Sequence, residues 1–342
     1  MGFLKKNWLW LGLLALVSLL ALLVSWKSGI AGRIYRRLFP GPIPGEIQAN
    51  QAQGMNEARL GEASPDGFDF IVAGHIYGRH EAGDHRPDGA LLSAIPAILE
   101  LEPDFLVSLG DTIQYGTVED FDLLDQLFLS QLPFPVFNTV GNHDVADRAL
   151  YEQRYGATFY AFDYGPARLI FLDTEIEMCG IDVPQKLMVR RSLEKALGDE
   201  DVRYIFIFMH KTLFFNNEVL AAHRTSPAGP NEWTCYLEPP WGELRESILP
   251  AAAQKPVYLF AGDVGVDGNL TPYYERRSDV LLTMVMTGLG DTSQDNLIHV
   301  RVSQAGVELE AIFLEDFSTR DIMDFGPAYW EAVATGEIEL NP

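Results

Sequence analysis

Cysteine is nearly absent from this sequence. Its 342 residues hold two, Cys179 and Cys235, which excludes a cysteine-built metal centre. If the chain is exported, the pair could close one disulfide across loops; in a reducing compartment both stay thiols. Positive charge is also scarce, with 25 Lys and Arg against 48 Asp and Glu and a net charge of -23. A surface of that sign repels polyanions, so nucleic acid is set aside as a partner. No internal repeat is present. Nor is the chain poor in apolar residues: they make up 47% of it, ample for a core and too many for a disordered chain.

One long run without charge stands out, "WLWLGLLALVSLLALLVSW" at residues 8–26. As a helix it would measure roughly 28 Å, close to a bilayer core. Trp8, Trp10 and Trp26 mark its ends as an aromatic belt would. It exceeds the usual apolar region of a cleaved signal, although a small-x-small triplet, Gly29-Ile30-Ala31, follows it. The reading is a single-pass N-terminal anchor over residues 1–30, with the lipid bilayer as partner. Lys27, Arg33, Arg36 and Arg37 behind the span argue for a cytoplasmic flank. The short basic start, Lys5-Lys6, before a single apolar span argues for export. We place the body on the extracytoplasmic side.

Residues 38–67 are rich in Pro, Gly, Asn, Gln and Ala, and 31–66 read as a juxtamembrane segment and linker. A chain starting near residue 60 is therefore expected to fold. From residue 67 the pattern becomes strand, helix, strand, helix, strand: "FDFIVAG", "DGALLSAIPAILELEP", "DFLVSLGD", "VEDFDLLDQLFLSQL", "FPVFNTVGNHD". That order implies a parallel sheet with crossover helices. A hairpin-like pair ("TFYAFDYG", "ARLIFLDTE"), a helix, the apolar strand "YIFIFMHK", a long loop over 214–241 and a strand-rich end follow. One mixed α/β domain is expected over 67–315, with a tail over 316–342.

Five of these strands end in polar residues. They deliver His75 and Tyr77, Asp111, Asn142 with His143 and Asp144, His210, and Asp263. In open α/β sheets the carboxyl ends of strands form the ligand crevice. Carboxylate, carboxamide and imidazole together suit Mn, Fe or Zn. Glycines before Asp111, Asn142 and Asp263 let the backbone turn sharply toward such a crevice. A carboxylate such as Asp111 can bridge two metals roughly 3.5–4 Å apart, and a metal-bound water can attack a phosphorus ester. His143 could protonate the leaving oxygen. Two positions stay open between readings: His75 with Tyr77 as metal contacts or as packing, and Asp263 as ligand or as the cap of a turn in "GDVGVDG".

In this order and context the motifs "GD…GNHD…H" resemble the calcineurin-like metallophosphoesterases. "YGATFYAFDYGPARLIFLDTE" and "TMVMTGLGD" are similar to later stretches of that family, so the likeness covers most of 68–314. The resemblance implies a layered α/β/β/α sandwich with mixed sheets. It implies one or two metal ions and a metal-dependent hydrolase acting on a small anionic phosphomonoester or phosphodiester. One metal would take Asp111, Asn142, His210 and Asp263, with aspartate standing where the family has histidine. The other would take His75, Tyr77, Asp111 and position 265, which is glycine. The alternative is a catalytically degenerate member serving as a binding or scaffolding module.

Overall fold

Strand β1 (Gly67–Ala73) shows why the molecule is layered. Phe68, Phe70 and Val72 belong to one buried cluster, while Ile71 and Ala73 between them belong to another. A strand sends alternate side chains to opposite faces, so a strand apolar on both faces must be covered twice. The computed structural model describes residues 43–340 except 79–82, 178, 216, 218–219, 221–234, 236–239 and 266–269.

Along the chain β1 is followed by α1 (Gly89–Glu100), β2 (Phe105–Ser108), α2 (Val118–Leu127) and β3 (Val136–Asn138). Then come α3 (Arg148–Tyr155), β4 (Tyr160–Tyr164), β5 (Ala167–Phe171), α4 (Val183–Gly198) and β6 (Tyr204–Met209). The remainder is α5 (Pro240–Ala252), β7 (Val257–Ala261), β8 (Tyr273–Arg276), β9 (Leu282–Met286), β10 (Asn296–Ser303), β11 (Val307–Phe313), β12 (Thr319–Asp321) and α6 (Pro327–Ala334).

Two six-stranded sheets result, ordered β12-β11-β10-β1-β2-β3 and β4-β5-β6-β7-β9-β8. Both are mixed: β1, β2 and β3 run parallel while β10 pairs with β1 antiparallel, and β5, β6, β7 and β9 run parallel between antiparallel neighbours. The faces between the sheets carry a seam of rings. Phe70 meets Phe206 edge-on at 5.5 Å, and Phe137 meets Phe162 at 5.2 Å. On the outer side of the first sheet, Leu91, Ala94 and Ile98 of α1 and Phe121 and Leu124 of α2 pack under Ile71 and Leu106. Helices α4 and α5 cover the second sheet through β4, β5 and β7. The expected helix–sheet–sheet–helix layering is therefore present.

Two boundaries differ from expectation. The segment read as linker up to residue 66 is packed from residue 44 on. Gly45 and Ile47 exchange backbone hydrogen bonds with Ala161 on β4, and Met55 bonds to Val136 on β3. β3 and β4 are the outermost strands of their sheets, so this segment covers two open edges. The stretch after 315 is also structured: β12 extends the first sheet, and Trp330 of α6 is fully buried, donating to Pro272 O at 2.9 Å. Cys179 and Cys235 are bonded, with Cα atoms 5.3 Å apart. The expected anchor at residues 8–26 lies outside the described residues, among which no helix is long and apolar enough to cross a membrane. Most of the loop expected over 214–241 lies outside them too.

Candidate metal centre

The expected residues converge because parallel strands deliver their ends to one edge. Asp111 follows β2, Asn142 and His143 follow β3, His210 follows β6 and Asp263 follows β7. Asp111 adopts φ +54° and His75 φ +50°, a region that non-glycine residues enter at some strain and that recurs at functional sites. Gly141 is required here: a Cβ would stand 2.1 Å from Asp111 Oδ1. The two loops are fastened by Asp144, which is fully buried. It accepts from the backbone N–H groups of Asp111 (2.9 Å), Gly141 (2.8 Å) and Thr112 (2.8 Å), and from the Thr112 hydroxyl (2.6 Å). Burial and the neighbouring Asp111 push its carboxyl above the usual range.

Carboxylate oxygens of Asp111 and Asp263 and a ring nitrogen of His210 all lie within 4.8 Å of one another. His210 is fully buried, and its Nδ1 sits 2.8 Å from Leu109 O. A carbonyl only accepts, so Nδ1 carries the proton and donates. Nε2 is then directed at Asp111 Oδ2 (3.4 Å) and Asp263 Oδ1 (3.7 Å), with no closer hydrogen-bond partner among the described residues. Metal-binding histidines are held in this way, with the far nitrogen on a carbonyl and the near one free for the ion. Without an ion, burial disfavours the His210 imidazolium, but Asp111 and Asp263 outweigh it and lift the group to about 9. Burial likewise opposes ionisation of Asp111, yet the histidines around it hold its carboxyl far below the usual range. The residues present fit one divalent ion at this point.

They do not fit a second ion on the family pattern. Its position would need a side chain at 265, and a Cβ on Gly265 would stand 1.8 Å from Leu289 O. Tyr77 places its hydroxyl 3.3 Å from His143 Nε2, beside the proton-transfer candidate. His75 Nε2 stands 3.6 Å from Asp111 Oδ2, and burial drives the imidazole down to about 4. Neutral, it can accept or ligate, but it lacks the companions to build a site. Asn142 is also differently engaged: its carboxamide oxygen accepts from Lys211 Nζ at 2.6 Å. Asp263 Oδ2 accepts from the same ammonium at 3.1 Å, so the residue is not merely a turn cap. Lys211 escaped the sequence reading; its only signal is its place directly after His210 at the end of an otherwise apolar strand. In the neighbouring loop His85 is tied to Asp120 at 2.9 Å, and Asp84 to Arg86.

His143 is oriented from both sides. Its backbone N–H donates to Asp111 Oδ1 at 3.1 Å, and its Nδ1 donates to Gln114 O at 2.5 Å. Nε2 is left facing Tyr77.

A second acidic group gathers Asp88, Asp291 and Asp295. Burial first, and Asp291 next, push Asp88 up to about 8, while burial lifts Asp295 to about 6. The folded chain thus keeps protons here that the unfolded chain releases near pH 4, so stability falls as pH rises from 4 toward 8. Asp88→Asn keeps the helix cap on Leu91 N and removes the repulsion. It is expected to gain on the order of 1–3 kcal/mol over wild type at pH 9 and to show no gain at pH 4. Melting curves across that range check it; a gain independent of pH would refute the assignment.

Comparison with known proteins agrees with this geometry. The sequence model of the calcineurin-like phosphoesterase family matches residues 83–233. No curated protein matches the chain. Among solved structures, the purple acid phosphatase PPD1 from yellow lupin (Lupinus luteus) seeds is similar, with a TM-score of 0.54 and 13% identity over 78% of this chain and 54% of that one. This chain thus spans about half the length of the lupin phosphatase. GAP50, the anchor in the inner membrane complex of Plasmodium, gives a TM-score of 0.49 at 13% identity, over 75% of this chain and 88% of that one. Vps29 of Chaetomium thermophilum gives 0.30 at 11%, over 74% and 92%. The α/β fold with two mixed sheets is similar to that of the lupin phosphatase. The resemblance read from the motifs holds in that residues 83–233 match the calcineurin-like phosphoesterase model.

Proposed function

We propose that this domain hydrolyses a small anionic phosphoester with the help of one divalent ion, Mn, Fe or Zn. The observation that carries the reading is His210 Nε2: a fully buried nitrogen that makes no close hydrogen bond among the described residues, fixed by Leu109 O and facing two carboxylates. Asp111, His210 and Asp263 would hold the ion. When bound, it would polarise a phosphoryl oxygen and lower the pKa of a bound water to near neutral. The chain's own groups do the rest. His143, held by Gln114 O and Asp111 Oδ1, presents Nε2 and delivers a proton to the leaving oxygen. The Tyr77 hydroxyl keeps that nitrogen in place. His75 and Tyr77 wall the crevice, their rings 4.2 Å apart.

The domain is further proposed to be tethered through residues 8–26 and to face the extracytoplasmic side. The Cys179–Cys235 bond supports this, since such bonds persist in oxidising compartments.

A second reading, a binding module without turnover, is favoured by one observation: the family's second metal position is blocked at Gly265. Metal content and hydrolysis of bis(p-nitrophenyl) phosphate separate the two. His143→Ala is expected to lower kcat by about 10²–10⁴ with metal content unchanged. No metal and no turnover in the wild type would leave the binding module.

A further inference from the structure

Lys211 lies beside the candidate ion pocket, against Asn142 and Asp263, two of the residues expected to hold an ion there. Its side chain is 4% exposed. Its Nζ lies 2.6 Å from Asn142 Oδ1, 3.1 Å from Asp263 Oδ2 and 3.9 Å from Glu175 Oε1. Three oxygens from three different loops thus face one ammonium. An ammonium buried this deeply persists only with opposite charge around it. Two of its three neighbours are carboxylates, and the third is the carboxamide that the family pattern gives to a metal.

Asp263 links the two positions. Its Oδ1 faces His210 Nε2 at 3.7 Å and its Oδ2 faces Lys211 Nζ. One carboxylate therefore stands between the candidate ion pocket and the ammonium, as a bridging ligand stands between two metals. We infer that Lys211 is a built-in second cation, so that the centre takes one divalent ion where a two-metal hydrolase takes two. This rests on the one-ion reading above and deepens it. Asp111, Asp263 and Glu175 supply three carboxylates, and one divalent ion with the ammonium supplies three positive charges, so a single divalent ion already balances the centre. Asn142 then acts as a positioning residue that holds the ammonium and not as a ligand.

The test is metal uptake, read by equilibrium dialysis of the full chain in detergent micelles against Mn²⁺ or Zn²⁺. Wild type is expected to take one ion per chain. Lys211→Ala vacates a space lined by Asn142, Asp263 and Glu175. It is expected to take a second ion, or to bind the first at least tenfold more tightly. Asn142→Ala is expected to change wild-type affinity less than threefold, and it serves should Lys211→Ala not fold. Two ions in the wild type, an unchanged Lys211→Ala, or a tenfold loss in Asn142→Ala would each overturn the inference. The one-ion reading fails separately: a wild type without metal, alongside a Lys211→Ala chain that binds one ion, removes that reading and keeps Lys211 as the resident cation.

Discussion

Replacing Asp111 with alanine is expected to reduce bound divalent metal to less than a tenth of the wild-type content and to abolish turnover. The Asp111 side chain reaches three parts of the centre. Its Oδ2 lies 3.4 Å from His210 Nε2 and 3.6 Å from His75 Nε2, and its Oδ1 holds the backbone of His143. Removing it takes away one of three ligands, and it withdraws the negative charge that organises both histidines. Alanine at φ +54° adds strain of roughly 1 kcal/mol that has nothing to do with metal. Asp111→Asn separates the two effects, because asparagine tolerates that backbone and can still accept from His143 N. Both variants should lose metal, while only the alanine variant should also melt noticeably lower. Undiminished metal in either one would remove Asp111 from the ligand set.

The contrast between Asp111 and Lys211 marks how far the site was legible from sequence. Asp111, Asn142, His210 and Asp263 each follow a short apolar run, and three of them follow a glycine directly. Period and punctuation therefore placed them at strand ends, and parallel topology placed the ends together. Lys211 carries no such mark. A lysine after a histidine reads as solvent-exposed, and only the fold shows that Asn142 and Asp263 close around it. For Tyr77 the sequence leaves metal contact and packing both open, and the fold adds that its hydroxyl stands 3.3 Å from His143 Nε2, a contact that depends on two loops and leaves no mark in either. Asp144 was visible in "GNHD", yet its work is with backbone N–H groups of another loop, which no pattern records.

The fold's limits of legibility have the same physical origin. The resemblance implied the layer order, and the strand–helix alternation gave only a parallel sheet with crossover helices. The edges did not follow. The described part of "GPIPGEIQANQAQGMNEARL" has the composition of a linker because it acts through backbone groups, Glu46, Asn56 and a few apolar contacts (Ile47, Ala52, Met55 and Leu60) that follow no helix or strand period. In the expected tail Ile322, Phe325 and Trp330 are the buried anchors, too few and too unevenly spaced to leave a periodicity to read.

That segment gives the second large effect. A chain starting at residue 60 is expected to aggregate, or to melt about 10 °C below one starting at residue 43. The reason begins with Arg168, which is fully buried on β5. Its guanidinium is paired in parallel fashion with Glu46, and Lys195 reaches the same carboxylate at 2.6 Å. Deleting Glu46 leaves two cations against Asp163 alone, and an uncompensated buried charge costs about 3–5 kcal/mol. Asn56 is lost as well. It donates to Leu132 O at 3.0 Å and Phe134 O at 2.8 Å and accepts from Val136 N at 3.2 Å. Each such bond contributes about 1 kcal/mol. Ala52, buried in the core between the sheets, goes with them. Finally, β3 and β4 become free edges able to pair with another copy. Size-exclusion profiles and melting curves of the two chains decide the matter, with Glu46→Gln in the longer chain isolating the charge effect. A monodisperse shorter chain melting within 2 °C of the longer one would return residues 44–59 to the role of a passive tether.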